Sequence, residues 1–333
     1  MLKQLMRTDL DRLLQKVAAD YHLQVPQLLT DGTRQLVPFE MGELSLSGAP
    51  LQRKPTAYFF PQTETLLHIT ADGSIELPAG AARPLALFGL DRTDLAGIAF
   101  LDRFFSAAPA DDVYQRRRNG ALLIGLTGAA GVDHSFLSLS SGNCDIELIA
   151  DNECWLALAY SERGEKLLSR FPDGDSEQLA VLRKSSDDSK LSQLKLLQQG
   201  SRLLQEDKVP DEFWVEIADR CILCSGCNLA CPTCSCFCVQ DRRRGEIVER
   251  SRVWDSCQLD AFMREASGHN PLGTETLRTR RRIHHKLVAD VQRWGELGCV
   301  GCGRCDRACP TGIGMLAVAE EMVKRYGTAA PVE

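Results

Sequence analysis

The sequence predicts an α+β protein: a mixed α/β N-terminal domain followed by a mainly helical C-terminal domain. Three observations lead there. A chain of 333 residues favours two domains over one. Its 44% hydrophobic and 25% charged content is that of a folded chain with ample core. Its fourteen cysteines are confined to one side: residues 1–143 contain none, Cys144 and Cys154 stand apart, and the other twelve lie between Cys221 and Cys309. That shift puts the boundary in the polar helical stretch 175–208. The domains are then 1–174 (N-terminal α+β), 175–208 (helical linker) and 209–333.

Taken in order, Leu2, Leu5, Leu10, Leu13, Leu14 and Val17 fall near helical spacing, so the N-terminus reads as an amphipathic helix. TAYFFPQTETLLHIT (56–70), RPLALFGL (83–90) and ALLIGLTG (121–128) are rich in branched and aromatic residues and read as strands. DLAGIAFLDRFFSA (94–107) between them has helical periodicity. CDIELIADNECWLALAY (144–160) reads as a hairpin turning at Asp151-Asn152, with Cys144 and Cys154 opposed across it as small buried side chains. Ser161 then caps a helix over 161–171.

Several function classes are disfavoured. GLTGAAG (125–131) follows a strand but is not G-x-G-x-x-G, and no P-loop occurs, so nucleotide binding is poorly supported. No apolar run reaches membrane-spanning length, which argues against membrane insertion. Arg7, Asp9, Asp11 and Arg12 break any apolar leader, so a cytoplasmic, reducing setting is expected and the cysteines are not a disulfide framework. A net charge of −6 gives no nucleic-acid signature; from Glu206 onward eighteen Lys/Arg face nineteen Asp/Glu.

Clustered cysteines in such a setting mean metal or catalysis. Cys221, Cys224, Cys227 and Cys231 are spaced C-x2-C-x2-C-x3-C with Pro232 next; Cys299, Cys302, Cys305 and Cys309 repeat the spacing, with Pro310 next. Each lies 78 residues after its counterpart. This is the run that holds ferredoxin [4Fe–4S] cubes, in which the fourth cysteine serves the other cluster. It predicts a ferredoxin-like, two-cluster C-terminal domain. One cluster falls to Cys221, Cys224, Cys227 and Cys309, and the other to Cys299, Cys302, Cys305 and Cys231. Gly226, Gly301 and Gly303 let the backbone approach sulfide. Structural zinc needs only four cysteines and no third at this spacing.

Cys234, Cys236, Cys238 and Cys257 remain, either as thiols tuning the clusters or as ligands of a third metal centre. The basic segments 242–252 and 278–286 offset cluster charge, face an acidic partner, or form a solvated face. His269, His284 and His285 read as packing residues. No catalytic residues suggest themselves, since no nucleophile, base and orienting acid are paired.

At these residues the chain resembles a known family. CPTCSCF (231–237), RVWDSC (252–257), GHNP (268–271), HHK (284–286) and GCVGCGRCDRACP (298–310) are similar to the iron–sulfur electron-transfer β subunit of soluble, sulfhydrogenase-type [NiFe] hydrogenases. So are FFPQTETL (59–66), LFGLDRTDL (87–95), LDRFF (101–105), YQRRR (114–118) and SERGEKLL (161–168). The A subunit of anaerobic sulfite reductase shares the layout. The resemblance implies two [4Fe–4S] clusters on the same eight cysteines. They would relay single electrons between a flavin-containing, NAD(P)-reductase-type subunit and the [NiFe] small and large subunits, or sulfite reductase subunits. Thr93, Ala129, Ser135 and Leu137 stand where the family carries cysteines, so an additional N-terminal metal site is not expected. A self-contained reductase binding its substrate in the N-terminal domain is the competing enzyme reading, against which stands the lack of any flavin, nicotinamide or haem motif.

Overall fold

In a computed structural model, described for residues 1–40, 43–46, 49–80, 83–127, 143–151, 154–184 and 189–327, the chain forms mixed α/β structure in two units. The first comprises Met1–Phe60 and Ala79–Lys190; the second comprises Pro61–Pro78 and Leu191–Glu333.

The first unit is built on β1 (Leu2–Met6), β2 (His22–Leu28), β3 (Arg34–Pro38), β6 (Leu85–Leu90), β7 (Leu122–Thr127), β8 (Ile146–Asp151) and β9 (Cys154–Ala159). Their order in the sheet is β1-β9-β8-β7-β6-β2-β3. The central pairs β2/β6, β6/β7 and β7/β8 are parallel, and the outer pairs antiparallel. Every residue of β7 is buried, as expected of a parallel strand covered on both faces. The helices are α1 (Asp9–Asp20), α2 (Arg92–Ser106), α3 (Asp112–Arg118), α4 (Glu162–Leu168) and α5 (Ser176–Lys184).

Local chemistry explains these boundaries. Asp91 accepts from Asp94 N at 2.8 Å and starts α2 with a reciprocal capping box. Ser161 accepts from Gly164 N at 3.2 Å and starts α4, as its sequence suggests. The N-terminus departs from its helical reading: Leu2–Met6 is a strand, and the helix begins only at Asp9. Leu5 is fully buried opposite Trp155, so pairing with β9 overrides the periodicity. Cys144 and Cys154 are both buried but do not face each other. Cys154 pairs with Asp151 and Met6, and Cys144 precedes β8. The proposed turn residue Asn152, and the segment 128–142 with Ala129, Ser135 and Leu137, lie outside the described residues. Thr93 is buried in the first turn of α2, its hydroxyl donating to Asp91 at 2.8 Å.

The second unit adds strands to helices, and so is not helical throughout. The 56–70 stretch read as one strand is split: Pro55–Tyr58 is a 3-10 turn of the first unit, and Thr63–Ile69 (β4) begins the second. With β5 (Ile75–Glu76), β10 (Phe237–Arg244) and β11 (Ile247–Trp254) it forms an antiparallel sheet ordered β10-β11-β4-β5. Arg252 Nε donates to Glu64 at 2.8 Å, and both side chains are buried. The helices are α6 (Ser189–Gln205), α7 (Asp211–Asp219), α8 (Gly226–Leu229), α9 (Glu275–His284), α10 (Asp290–Trp294), α11 (Arg304–Ala308) and α12 (Met315–Tyr326). Leu197, Phe213, Trp214, Ile217, Ile283, Leu287, Val318 and Met322 form their common core. Leu197 and Leu203, from the stretch read as a linker, belong to that core. Burying each such side chain is worth roughly 1.5–3 kcal/mol.

Candidate metal centres

The two cysteine runs are built alike. After α7, the Cys221 amide donates to the Ala218 carbonyl at 2.8 Å, and the chain turns through Leu223 (φ 53°) and Ser225 (φ 62°) into α8. In the second run it turns through Gly301 (φ 68°) and Gly303 (φ 67°) into α11. The left-handed residues fall at matching positions, 78 apart. Glycine takes this backbone freely, whereas Leu223 and Ser225 hold it at about 1–2 kcal/mol each. Such strain persists where the surroundings impose it, commonly at functional sites.

Each run faces a cavity. One is lined by Cys221, Cys224, Cys227 and Cys309, with Gln258, Thr311 and Ile313 among the other walls. The second is lined by Cys299, Cys302, Cys305 and Cys231, with Thr233, Lys286 and Met315. Cys227 and Arg282 line both. Backbone amides point at the sulfurs: Ile313 N lies 3.4 Å from Cys309 Sγ, and Met315 N lies 3.3 Å from Cys305 Sγ. Cys224 is exposed, whereas Cys231 and Cys302 are buried. Burial pushes the Cys299 thiol up to about 12, and Cys305 is also raised well above the usual range, chiefly by burial. Ionising these ligands therefore calls for a compensating positive charge.

The four spare cysteines line neither cavity. Cys231 is held well below the usual thiol range, first by the neighbouring Cys234 thiol. The Asn228 amide donates to Cys257 Sγ at 3.1 Å and to Ser256 Oγ at 2.9 Å. Cys257 is lowered to about 6, first by the Cys236 thiol against the opposing effect of burial. Cys238 accepts from the Gln240 amide at 3.5 Å. Among the described residues no group of three or more His, Cys, Asp or Glu side chains stands close enough to hold a single metal ion, the spacing a zinc site requires.

Sequence reasoning left three roles open for the 278–286 basic segment, and the structure separates its residues. Arg280 is partly exposed and pairs with Asp211 at 2.8 Å, while Arg278, Arg282 and Lys286 are buried at four-residue intervals. Arg278 is held by Leu272 O, Asp260 and Glu275. Arg282 Nη2 donates to the Ile313 carbonyl at 2.6 Å. Lys286 Nζ donates to Thr233 Oγ1 at 2.7 Å and to the Gly298 carbonyl at 3.2 Å. Lys286 sits in a π-helical turn, His285–Ala289, where the Leu287 carbonyl accepts from Ser201 at 2.5 Å. Burial lowers His285 to about 4, helped by the neighbouring cations. The i, i+4, i+8 spacing is the signal that marks the buried cations, but four interleaved basic residues hide it. By contrast Arg242, Arg243 and Arg244 are exposed on β10.

Residues 220–313 match the family model of a 4Fe-4S dicluster domain. The chain is 28% identical over 290 residues, 84% of its length and 86% of the relative's, to sulfhydrogenase 2 subunit beta of Pyrococcus furiosus. It is 27% identical over 169 residues, 49% of its length and 37% of the relative's, to F420-dependent formate dehydrogenase subunit beta of Methanocaldococcus jannaschii. No solved structure matches. The chain is thus an iron–sulfur, 4Fe-4S electron-transfer protein similar to hydrogenase β subunits. Among the described residues no helix is long and apolar enough to cross a membrane.

Proposed function

We propose that this chain is a cytoplasmic electron-transfer subunit of a multi-subunit hydrogenase-type enzyme. It would relay single electrons through two [4Fe–4S] clusters between a [NiFe] catalytic part and a flavin-containing subunit. In this reading Cys221, Cys224, Cys227 and Cys309 hold one cluster, and Cys299, Cys302, Cys305 and Cys231 hold the other. The chain itself performs no bond chemistry.

The observation that carries the reading is the pair of cavities, each lined by the first three cysteines of one run and the fourth of the other, with Cys227 reaching the second cavity as well. The donor set suits the group: at least four soft sulfur donors per cavity, amides directed at sulfur, and a buried cation beside each. When bound, such clusters supply one-electron redox chemistry. The protein's part is to fix the two sets in neighbouring cavities with Cys227 in the wall of both, to exclude water through the core that packs around Cys221, Cys299, Cys305 and Cys309, and to balance charge. Exposed Cys224 makes the first set the one open to a redox partner.

Anaerobically purified protein should be brown and carry about eight irons and eight acid-labile sulfides per chain. Iron near four removes one cluster from the proposal, and a colourless zinc protein removes both.

A further inference from the structure

Arg282 and Lys286 are buried cations with different reach. Arg282 lies in the wall common to both cavities, which it shares with cysteines of both sets: Cys227 and Cys221 of the first and Cys305 of the second. Among the described residues its side chain donates to the Ile313 carbonyl and no carboxylate pairs with it. Lys286 lines only the second cavity and faces Cys231, Cys234 and Cys299, with Asp290 nearby. Its ammonium is clamped between Thr233 Oγ1 and the Gly298 carbonyl. One helical turn and a π-turn therefore put one cation between the two cysteine sets and one beyond them.

We infer that Arg282 is a counter-charge shared by both clusters and that Lys286 is a private counter-charge of the second, so that the two set the reduction potentials and the gap between them. The physics is Coulombic. Reduction adds one negative charge to a centre already made anionic by four thiolates. A cation buried beside it, where screening is weak, stabilises the reduced form and raises the potential. Arg282 acts on both centres; Lys286 widens or narrows the difference.

This rests on the two-cluster reading above, and the test separates the two. Protein is purified anaerobically, iron and sulfide are counted, and both centres are followed by EPR during potentiometric titration. In Arg282→Met both midpoints should fall. In Lys286→Met only that of the Cys299, Cys302, Cys305 and Cys231 centre should fall. Arg282→Lys, which keeps the charge, should return both toward the native values even though it changes the shape of the head group. If Arg282→Met fails to retain iron, Arg282→Lys and Lys286→Met still decide. A shift of both midpoints in Lys286→Met, or native midpoints in a fully loaded Arg282→Met, overturns the assignment. Absence of iron from the unmodified protein overturns the cluster reading instead.

Discussion

The two cysteine runs, 221–232 and 299–310, share one backbone, four cysteines and a closing proline, and differ in most of the residues between. Both pass through left-handed residues two and four positions after their first cysteine. The second run has glycine at both positions and is the more enclosed; the first has Leu223 and Ser225 and leaves Cys224 exposed. Before the first cysteine the second run has Gly298, where a Cβ would overlap the Asp290 carboxylate; the first has Arg220, exposed and paired with Glu321 at 2.7 Å. The ligand spacing imposes the turn. The filler residues record how closely the rest of the unit presses on it.

The sharpest way to break this comparison is to exchange fourth ligands. Cys309→Ala should perturb the centre of Cys221, Cys224 and Cys227, leaving three thiolates and the EPR signal of an oxidised [3Fe–4S] centre, while the other cube survives. Cys302→Ala should damage the other. If both substitutions remove the same signal, each run ligates locally. Next in size, Gly298→Ala should cost about 1–3 kcal/mol by overpacking against Asp290 and disturb the Lys286 clamp. Arg220→Ala, at the matching position, should stay within about 0.5 kcal/mol, because its ion pair is exposed. Chemical denaturation of the loaded protein measures both, and equal costs would show that the runs are equally enclosed. Gly301→Ala should cost about 1 kcal/mol for its left-handed backbone, and Gly303→Ala somewhat more, since its Cβ would approach Arg307 to 3.0 Å. The smallest effect belongs to Leu223→Gly: a gain of about 0.5 kcal/mol, the strain relieved less the entropy of glycine. A loss there would mean that Leu223 packing outweighs its backbone.

What could be read from sequence alone follows the range of the forces involved. The cysteine spacing was legible because a single tight loop must present three thiolates at once. The cap at Ser161 operates over three residues, and the start of α4 followed from it, whereas α2, read by periodicity from residue 94, begins at Arg92 behind the Asp91 cap. The strand at Leu2–Met6 was hidden because its five residues sit inside a longer helical pattern, and the partner, β9, lies some 150 residues on. The destination of Thr63–Ile69 was hidden for the same reason. A run of branched residues announces a strand but not the sheet it will join. The role of offsetting cluster charge was among those read for 278–286, but that Arg282 and Lys286 are the buried residues beside the cavities escaped, because charge reads as surface and the cysteines they adjoin lie in other segments.

The placement of β4 also has a consequence in time. It pairs with β11, whose residues 248–253 follow Thr63–Ile69 by some 180 positions. A ribosome adding 5–20 residues per second needs roughly 10–40 s to cover that distance. Through that interval the nascent hairpin 61–78 waits without its neighbour, its edge open, while the chain of the first unit, begun before it, is completed after it. The buried Glu64 meets Arg252 only at the end. The cofactor-bearing unit is thus not a cassette that synthesis can finish separately or that a single cut can release. Its earliest part is made before most of the other unit exists, and it closes last.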